Sequence, residues 1–317
     1  MAEPETTTAA GPPPRVAAVV VNWRRPTATR ACLEAIAAVG EPGCFPVVVE
    51  NGSRDFTDEE IARHAGGRRI TSPTNVGFAG GANLGMRAAL TGGADWVWFL
   101  NDDALPEPGS LAILLEAATR PPYPQILGPK IVQAERPDRI DSIAVTLDLA
   151  RGTSFLLGHD EEDRGQYDQL AIEPLAVTGC ALLVSRRACI ELRGFEESYY
   201  AYFEDIDLCL RARQFELPVA AVPAARVKHD RMTTRAGRQS PSSLYYSVRN
   251  HLVVLGLFCP RAPWLMRLRS LRVLGRYLAF AALRSGGSRA AAVRAVRRGV
   301  ADYQRGVLGA APPELGD

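Results

Sequence analysis

The N-terminal third of the chain alternates short apolar runs with segments of helical spacing. Val16 to Val21, within RVAAVVVNW, is an unbroken apolar run of the kind found in a strand buried on both faces. After Pro26 the apolar positions move to helical spacing, with Leu33, Ile36 and Val39 on one stripe and Gly40 as a stop. FPVVVENGS reads as a second buried strand, ending in Glu50, Asn51 and Gly52. TDEE, at 57–60, has the residues of a capping box and predicts a short helix. WVWFL, from Trp96 to Leu100, predicts another strand and runs directly into Asn101, Asp102 and Asp103. Strand and helix in this rhythm predict an α/β unit around a mostly parallel sheet.

In such a sheet ligands sit beyond the carboxyl ends of the strands. Asn22, Glu50, Asn51, Asn101, Asp102 and Asp103 each follow an apolar run, so they are binding-site candidates, with turn formation as the competing use of each loop. Between the second strand and WVWFL lies TNVGFAGGANLGMRAAL, whose glycines at 77, 80, 81 and 85 do not fit GxGxxG. A nicotinamide dehydrogenase is therefore a poor fit. Gly-rich backbone entering a helix can still approach a phosphate or ribose, with Asn75 and Asn83 as hydrogen-bonding groups; helix packing through Gly85 is the competing reading. The carboxylates of Asp102 and Asp103 suit a hard divalent cation, or else a turn before a helix near Ser110. His229, one of four histidines, follows the apolar run Val219 to Val222 and gains meaning only if the fold brings it beside Asp103.

A second concentration of acid is harder to dismiss. YYAYFEDIDLCLR, from Tyr199 to Arg211, carries Glu204, Asp205 and Asp207 among aromatic and aliphatic residues. Acids in a first helical turn face the positive end of the helix dipole, and Asp207 can pair with Arg211 four residues on. Yet at helical spacing Asp207 shares a face with Phe203, Ile206 and Leu210, and Asp205 with Leu208, Cys209 and Ala212. Carboxylates beside apolar walls are where general bases are built.

Composition narrows the class. With 317 residues, 47% hydrophobic and 23% charged, the chain is long enough for one large domain and an appendage. A formal charge of +2 hides an asymmetry: from Ser243 onward there are 12 Arg against 3 acids, so a basic C-terminal region follows an acidic body. No recognition motif accompanies those arginines, so nucleic acid is not the expected partner. Six cysteines, at 32, 44, 180, 189, 209 and 259, show no CxxC spacing and read as reduced thiols of a cytoplasmic protein. MAEPETTTAAGPPP reads as a flexible leader over residues 1–14, and no apolar run reaches transmembrane length. Trp264 to Leu283 projects Trp264, Leu268, Leu271, Leu274 and Leu278 onto one arc beside Arg269, Arg272 and Arg276. Such a basic amphipathic helix either lies on a membrane surface or packs on the domain or on a second subunit.

The segments VVVNW, VVVENGSRD, NVGFAGGANLG, FLNDDA, VTGCALLVSRRA, GFEESYYAYFEDIDLCLRAR and VKHD, in this order, resemble the inverting family 2 glycosyltransferases, specifically their rhamnosyltransferase-like branch. RGQYD at 164–168 and LYYSVRN at 244–250 resemble it too, so the likeness runs from Arg15 to Asn250. It implies a GT-A fold, a Rossmann-like domain over residues 15–242 that binds a dTDP- or UDP-linked sugar, followed by C-terminal helices over 243–317. By the resemblance, Glu50 and Asp55 contact the base, Asn22, Asn51, Gly77, Asn83, Asn101 and Asp102 line the nucleotide-sugar site, and Asp103 and His229 hold Mn²⁺ or Mg²⁺. Asp205 is the implied general base, supported by Glu204 and Asp207, while Thr178, Gly179, Tyr200 and Tyr202 face the acceptor. Glu50 and Glu196 stand where Asp is commoner, and Trp23 where Tyr is. Those departures keep open a catalytically silent nucleotide-sugar-binding scaffold. Glycan, glycolipid and aglycone acceptors, peripheral attachment to the inner face of the membrane, and a homodimer all remain compatible with the sequence.

Overall fold

The computed structural model describes residues 12–148, 151–169, 172–230, 240–258, 263–284 and 288–315. Most of the expected leader, and the stretch 231–239 after His229, lie outside them. The chain builds one nine-stranded mixed sheet with helices on both faces and a three-helix C-terminal region. Strands β1 (Val16–Asn22), β2 (Cys44–Asn51), β3 (Arg68–Ser72) and β4 (Trp96–Leu100) run parallel in the order β3-β2-β1-β4. Next to β4 comes β10 (Ala181–Ser185), antiparallel to it, then β6 (Ile126–Gln133) and, parallel to β6, β11 (Val219–His229). The short β5 (Ala104–Pro106) closes that edge beside β11, and β7 (Ile140–Ser142) pairs with β6. A separate hairpin is formed by β8 (Val145–Asp148) and β9 (Thr153–Leu156).

The apolar runs fill two cores because side chains alternate across a strand. Val16, Ala18, Val20, Val48, Trp98 and Leu100 face one side, against α1 (Pro26–Ala38) and α4 (Ser110–Ala118). Ala17, Val19, Val47, Val49, Val97 and Phe99 face the other, against α3 (Gly77–Thr91), α5 (Arg186–Leu192) and α6 (Glu204–Gln214). Local signals hold where they are strong. Pro26 opens α1, and Thr57 and Glu60 complete the capping box of α2 (Asp58–Ala62). The glycine-rich segment is helix rather than phosphate loop: Gly80, Gly81 and Gly85 all lie inside α3. A Cβ at Gly85 would stand 2.3 Å from Val19 Cγ1 and 3.0 Å from Val49 Cγ2, so this glycine lets the helix lie directly on β1 and β2.

The C-terminal helices α7 (Pro241–Phe258), α8 (Pro263–Arg284) and α9 (Arg289–Arg305) share a core of Leu244, Val248, Leu252, Leu255, Val273, Ala281, Ala292 and Val296. The domain boundary expected at 242/243 falls inside α7, which also packs against the loop preceding α6. RGQYD contributes Asp168 to a buried cluster in which Lys130 Nζ donates to Asp163 at 2.8 Å and to Asp168 at 2.6 Å, fastening the excursion after β7 to the sheet.

Gly85→Ala pits two effects against each other. Helix propensity favours alanine by about 1 kcal/mol. Overpacking against two β-branched residues in a close-packed core costs about 1–3 kcal/mol. The second wins because β1 and β2 cannot retreat, so thermal denaturation should show a lowered melting temperature; an unchanged or raised one contradicts this packing.

Candidate active site

The loops after β1 and β2 close on each other through Glu50. Its Oε1 accepts from the backbone N–H groups of Asp55 (3.1 Å) and Phe56 (2.8 Å), and its Oε2 accepts from Asn22 Nδ2 (3.2 Å) and from the Ser53 hydroxyl. Asn22 Nδ2 also donates to Asp55 Oδ2 at 2.9 Å, while its Oδ1 accepts from Thr29 Oγ1 at 3.0 Å. Asn51 holds the next loop, donating to Asn75 Oδ1 and the Gly77 carbonyl and accepting from Val76 N–H. Asn83 binds both backbone groups of Phe195, at 2.8 and 2.9 Å. Asn22, Glu50, Asn51 and Asn83 are all buried with their polar atoms engaged by neighbouring loops, whose shape they hold. Asp55 keeps a partly open edge.

Beyond β4, Asp102 and Asp103 are nearly enclosed. Arg25 Nη1 donates to Asp102 Oδ1 at 2.6 Å and to Asp103 Oδ2 at 3.1 Å. His229 ends β11, and its Nε2 lies 3.3 Å from Asp103 Oδ1 while its Nδ1 lies 3.2 Å from Asp141 Oδ2. Burial opposes a charge on His229, but the Cys180 sulfur, Asp103 and Asp141 outweigh it and hold its pKa well above the ordinary value. Burial would lift Asp103 as well, yet His229 and then Arg25 leave it below the usual carboxylate range. At Asp102 burial prevails against Arg25, and the carboxyl is pushed up to about 7.

The third element is the start of α6. Asp205 is half-buried; its Oδ2 accepts from Gly179 N–H at 2.6 Å and its Oδ1 from Ile206 N–H at 2.8 Å. Burial raises its pKa, and those two donors restrain the rise. Glu204 is buried with no hydrogen-bond partner for Oε2 among the described residues, and burial followed by the charge of Asp205 pushes its pKa up. Burial and mutual repulsion therefore disfavour a second negative charge on this pair. Asp207 belongs to the scaffold: it accepts from Arg211 Nε at 2.6 Å and from the Tyr199 hydroxyl at 3.2 Å, and Arg211 in turn holds the carbonyls of Leu192 and Gly194.

Two residues join these elements. Gly179 binds Asp205, and Cys180 accepts from Asn101 N–H at 3.0 Å through its carbonyl, next to Asp102 and Asp103. Antiparallel β10 makes this possible, because its Ala181 pairs with Leu100 at the carboxyl end of β4. The base candidate and the acid–imidazole cluster thus flank one dipeptide, whose Cα atoms are about 3.8 Å apart.

The loop before α6 is strained. Tyr200, Tyr202 and Phe203 have φ of 67°, 67° and 74°, at about 1–3 kcal/mol each for residues with a side chain. Asn250 Nδ2 reaches the carbonyls of Tyr199, Ala201 and Tyr202 at 3.0, 2.8 and 2.7 Å, and Arg249 Nη2 reaches that of Tyr199 at 2.9 Å. Tyr200 stacks on Tyr246 with ring centroids 5.3 Å apart, and Gly77 has φ of 77° and no room for a Cβ beside the Tyr200 carbonyl. Tyr202 is 43% exposed; Thr178 is half-buried and Gly179 buried beside Asp205.

Residues 13–252 match the family described as glycosyltransferase-like family 2. The chain belongs to this family. It is 30% identical over 215 residues to the N-acetylglucosaminyl-diphospho-decaprenol L-rhamnosyltransferase of Mycobacterium tuberculosis (strain H37Rv), spanning 62% of this chain and 70% of that one. It is 34% identical over 131 residues to the galactofuranosyltransferase GlfT1 of the same strain, covering 39% of this chain and 42% of that one. The mannosyltransferase PcManGT from Pyrobaculum calidifontis, solved with GDP-Man and Mn²⁺, superposes with a TM-score of 0.55 at 16% identity, over 93% of this chain and 83% of that one. The fold is GT-A, and the chain is a family 2 glycosyltransferase.

Asp103 offers an oxygen and His229, once its Nε2 gives up its proton, a nitrogen beside it, donors that suit Mn²⁺ better than Mg²⁺. Among the described residues no group of three or more His, Cys, Asp or Glu could hold a metal. Two protein donors suit a cation completed by a substrate's phosphates. Arg25, Asp141, Arg249 and Asn250 were not singled out from sequence; only the burial-defying Arg-Asn pair in the apolar helix α7 carried a local signal.

Asn250→Ala removes three hydrogen bonds from a strained loop and should lower kcat about ten- to a hundred-fold with donor KM nearly unchanged, since misplacement by 1 Å is enough for that. Steady-state kinetics on the folded variant check it; an unaltered kcat contradicts it. His251, buried between Phe203 and Tyr277, has no partner for either ring nitrogen among the described residues, and burial, then Arg276, pushes its pKa down to about 4 from 6.5. Its neutral form therefore supports folding fully above the unfolded value and loses that support as pH falls toward the folded one. Urea denaturation at about pH 7 and about pH 5 should show the wild type losing ~2 kcal/mol more than His251→Phe; equal losses contradict it.

Proposed function

We propose that this enzyme is a metal-dependent inverting glycosyltransferase that moves rhamnose, or a similar sugar, from a nucleoside diphosphate to a hydroxyl of a lipid-linked glycan. The observation that carries the reading is the seating of Asp205 on Gly179 N–H, one residue from the Cys180 carbonyl that holds Asn101 and with it the loop of Asp102 and Asp103. The likeness to a rhamnosyltransferase named for a decaprenyl diphosphate-linked acceptor supports the sugar and the acceptor class.

An acceptor hydroxyl is too weakly acidic to attack unaided at neutral pH. Asp205 takes its proton as the hydroxyl oxygen bonds to the anomeric carbon, and the bond to the diphosphate breaks with its electron pair leaving on the diphosphate oxygen. The raised pKa of Asp205 improves its match to that task, and the burial of Glu204 disfavours a second charge beside it. Asp103 and His229 would hold a divalent cation, with Asp102 beside them. When bound, that cation neutralises the charge that develops on the departing diphosphate. Arg25, already facing both acids, adds a positive charge on the same side. Asp55 contacts the nucleoside through its open edge, with Asn101 and the Gly77 loop framing it. Thr178, Gly179, Tyr200 and Tyr202 form the acceptor side, where Tyr202 offers a ring face to sugar C–H groups.

The test is sugar transfer from dTDP-rhamnose and UDP-galactofuranose to a polyprenyl diphosphate N-acetylglucosamine, with Mn²⁺ or with EDTA. The expected result is metal-dependent turnover that falls at least 10²-fold in Asp205→Asn. Equal turnover in EDTA, or an unaffected Asp205→Asn, would overturn the mechanism.

A further inference from the structure

We infer that the outward face of α8 is a docking surface for an anionic lipid bilayer. This goes beyond the catalytic reading and does not depend on it. The helix carries two apolar faces rather than one. Val273 and Ala281 are buried, and Leu274, Tyr277 and Leu278 pack with them on the core shared with α7 and α9, so the arc expected from sequence divides. Arg269, expected beside that arc, turns inward and is buried against the turn at Gly152. Trp264, Leu268 and Leu271 remain outside, with Trp264 70% and Leu271 65% exposed, and nothing among the described residues covers them.

The charges around this face select its occupant. At 3.6 residues per turn Trp264, Leu268, Leu271, Gly275 and Ala282 lie along one line, with Arg267 on one flank and Arg272 and Arg276 on the other. All three arginines are exposed, and Arg276 also donates to the Ser154 carbonyl at 2.8 Å. The helix contains no Asp or Glu. An apolar centre edged by arginines on both sides is the arrangement of a helix lying in a lipid interface, where the stems of the arginines cover apolar surface and their guanidinium groups meet phosphates. A second copy is the poorer occupant, because a two-fold contact through this face would set the arginines of one chain against those of the other. No helix among the described residues is long and apolar enough to cross a membrane, so the contact is with the surface.

The face also has a short route to the proposed acceptor side. Tyr277 of α8 meets His251 edge-on at 6.1 Å between ring centroids, and His251 stacks at 4.9 Å on Phe203, the residue before Glu204 and Asp205. Docking through α8 would hold the start of α6 close to the membrane, where a lipid-linked acceptor is found.

Flotation of the full chain with vesicles of phosphatidylcholine alone, or of phosphatidylcholine with phosphatidylglycerol, tests the inference without any catalysis. Binding should be at least about ten-fold stronger to the anionic vesicles and should weaken as salt is raised. The double variant Arg267→Glu/Arg272→Glu, and separately Leu271→Glu, should each lose about ten-fold or more while keeping the wild-type melting temperature and the wild-type rate of donor hydrolysis by water. All of these positions are exposed, and two variants of different chemistry guard against one that folds poorly. Equal binding to both vesicle types, binding unaffected by both variants, or a wild-type dimer that Leu271→Glu turns into a monomer would overturn it. Loss of turnover with vesicle binding intact would instead count against the catalytic reading alone.

Discussion

One dipeptide ties together the two acidic clusters of this molecule. Gly179 and Cys180 sit where antiparallel β10 begins, beside the carboxyl end of β4, and both candidate clusters are tied to them: Asp205 to the Gly179 N–H, and the loop of Asp102 and Asp103 to the Cys180 carbonyl through Asn101. These groups come from positions far apart in the chain. Without a strand running against its neighbours, the first turn of α6 would have no fixed relation to the loop after β4. The absence of a side chain at 179 matters equally, since a Cβ there would stand 3.2 Å from Asp205 Cβ.

A second constraint keeps Asp205 in place from behind. Three positive-φ residues with side chains within four positions would not persist in a free loop. They persist here because α7 offers donors to the carbonyls that this geometry turns outward, and because fully buried Arg249 is itself held by the Tyr245 and Tyr246 rings and the Gly309 carbonyl. The C-terminal region therefore supports the loop that leads into the proposed base, Asp205. Its boundary with the sheet domain is one of sequence position, whereas in space α7 serves both.

Where local physics dominates, the structure was legible in the sequence. Continuous apolar runs became β1, β2 and β4, Pro26 opened α1, and TDEE capped α2, because each depends on neighbours within a few positions. The ordered motifs identified the family and its GT-A fold. Other features were hidden. The antiparallel placement of β10 and the pairing of His229 with Asp141 depend on partners remote in the chain. The loop-holding bonds of Glu50, Asn22 and Asn51 were not legible either, because a polar residue after a strand reads the same whether it faces a nucleotide or the N–H groups of the next loop. The extra methylene of Glu50 carries its carboxylate to two N–H groups of that loop. Of the two readings of the α3 glycines, packing is seen at Gly81 and Gly85, which lie against Val21 and Val19. Periodicity found the apolar arc of α8, yet it could not tell which part would be buried by neighbouring helices.

The central claim is that donor and acceptor chemistry meet at Gly179 and Cys180. Anomalous diffraction from crystals grown with Mn²⁺ and a nucleoside diphosphate tests it most directly. A single manganese peak between Asp103 and His229, with the diphosphate against it and the nucleoside toward Asp55, is the predicted result. Manganese and nucleotide bound together at any other place, away from Asp205, would contradict it.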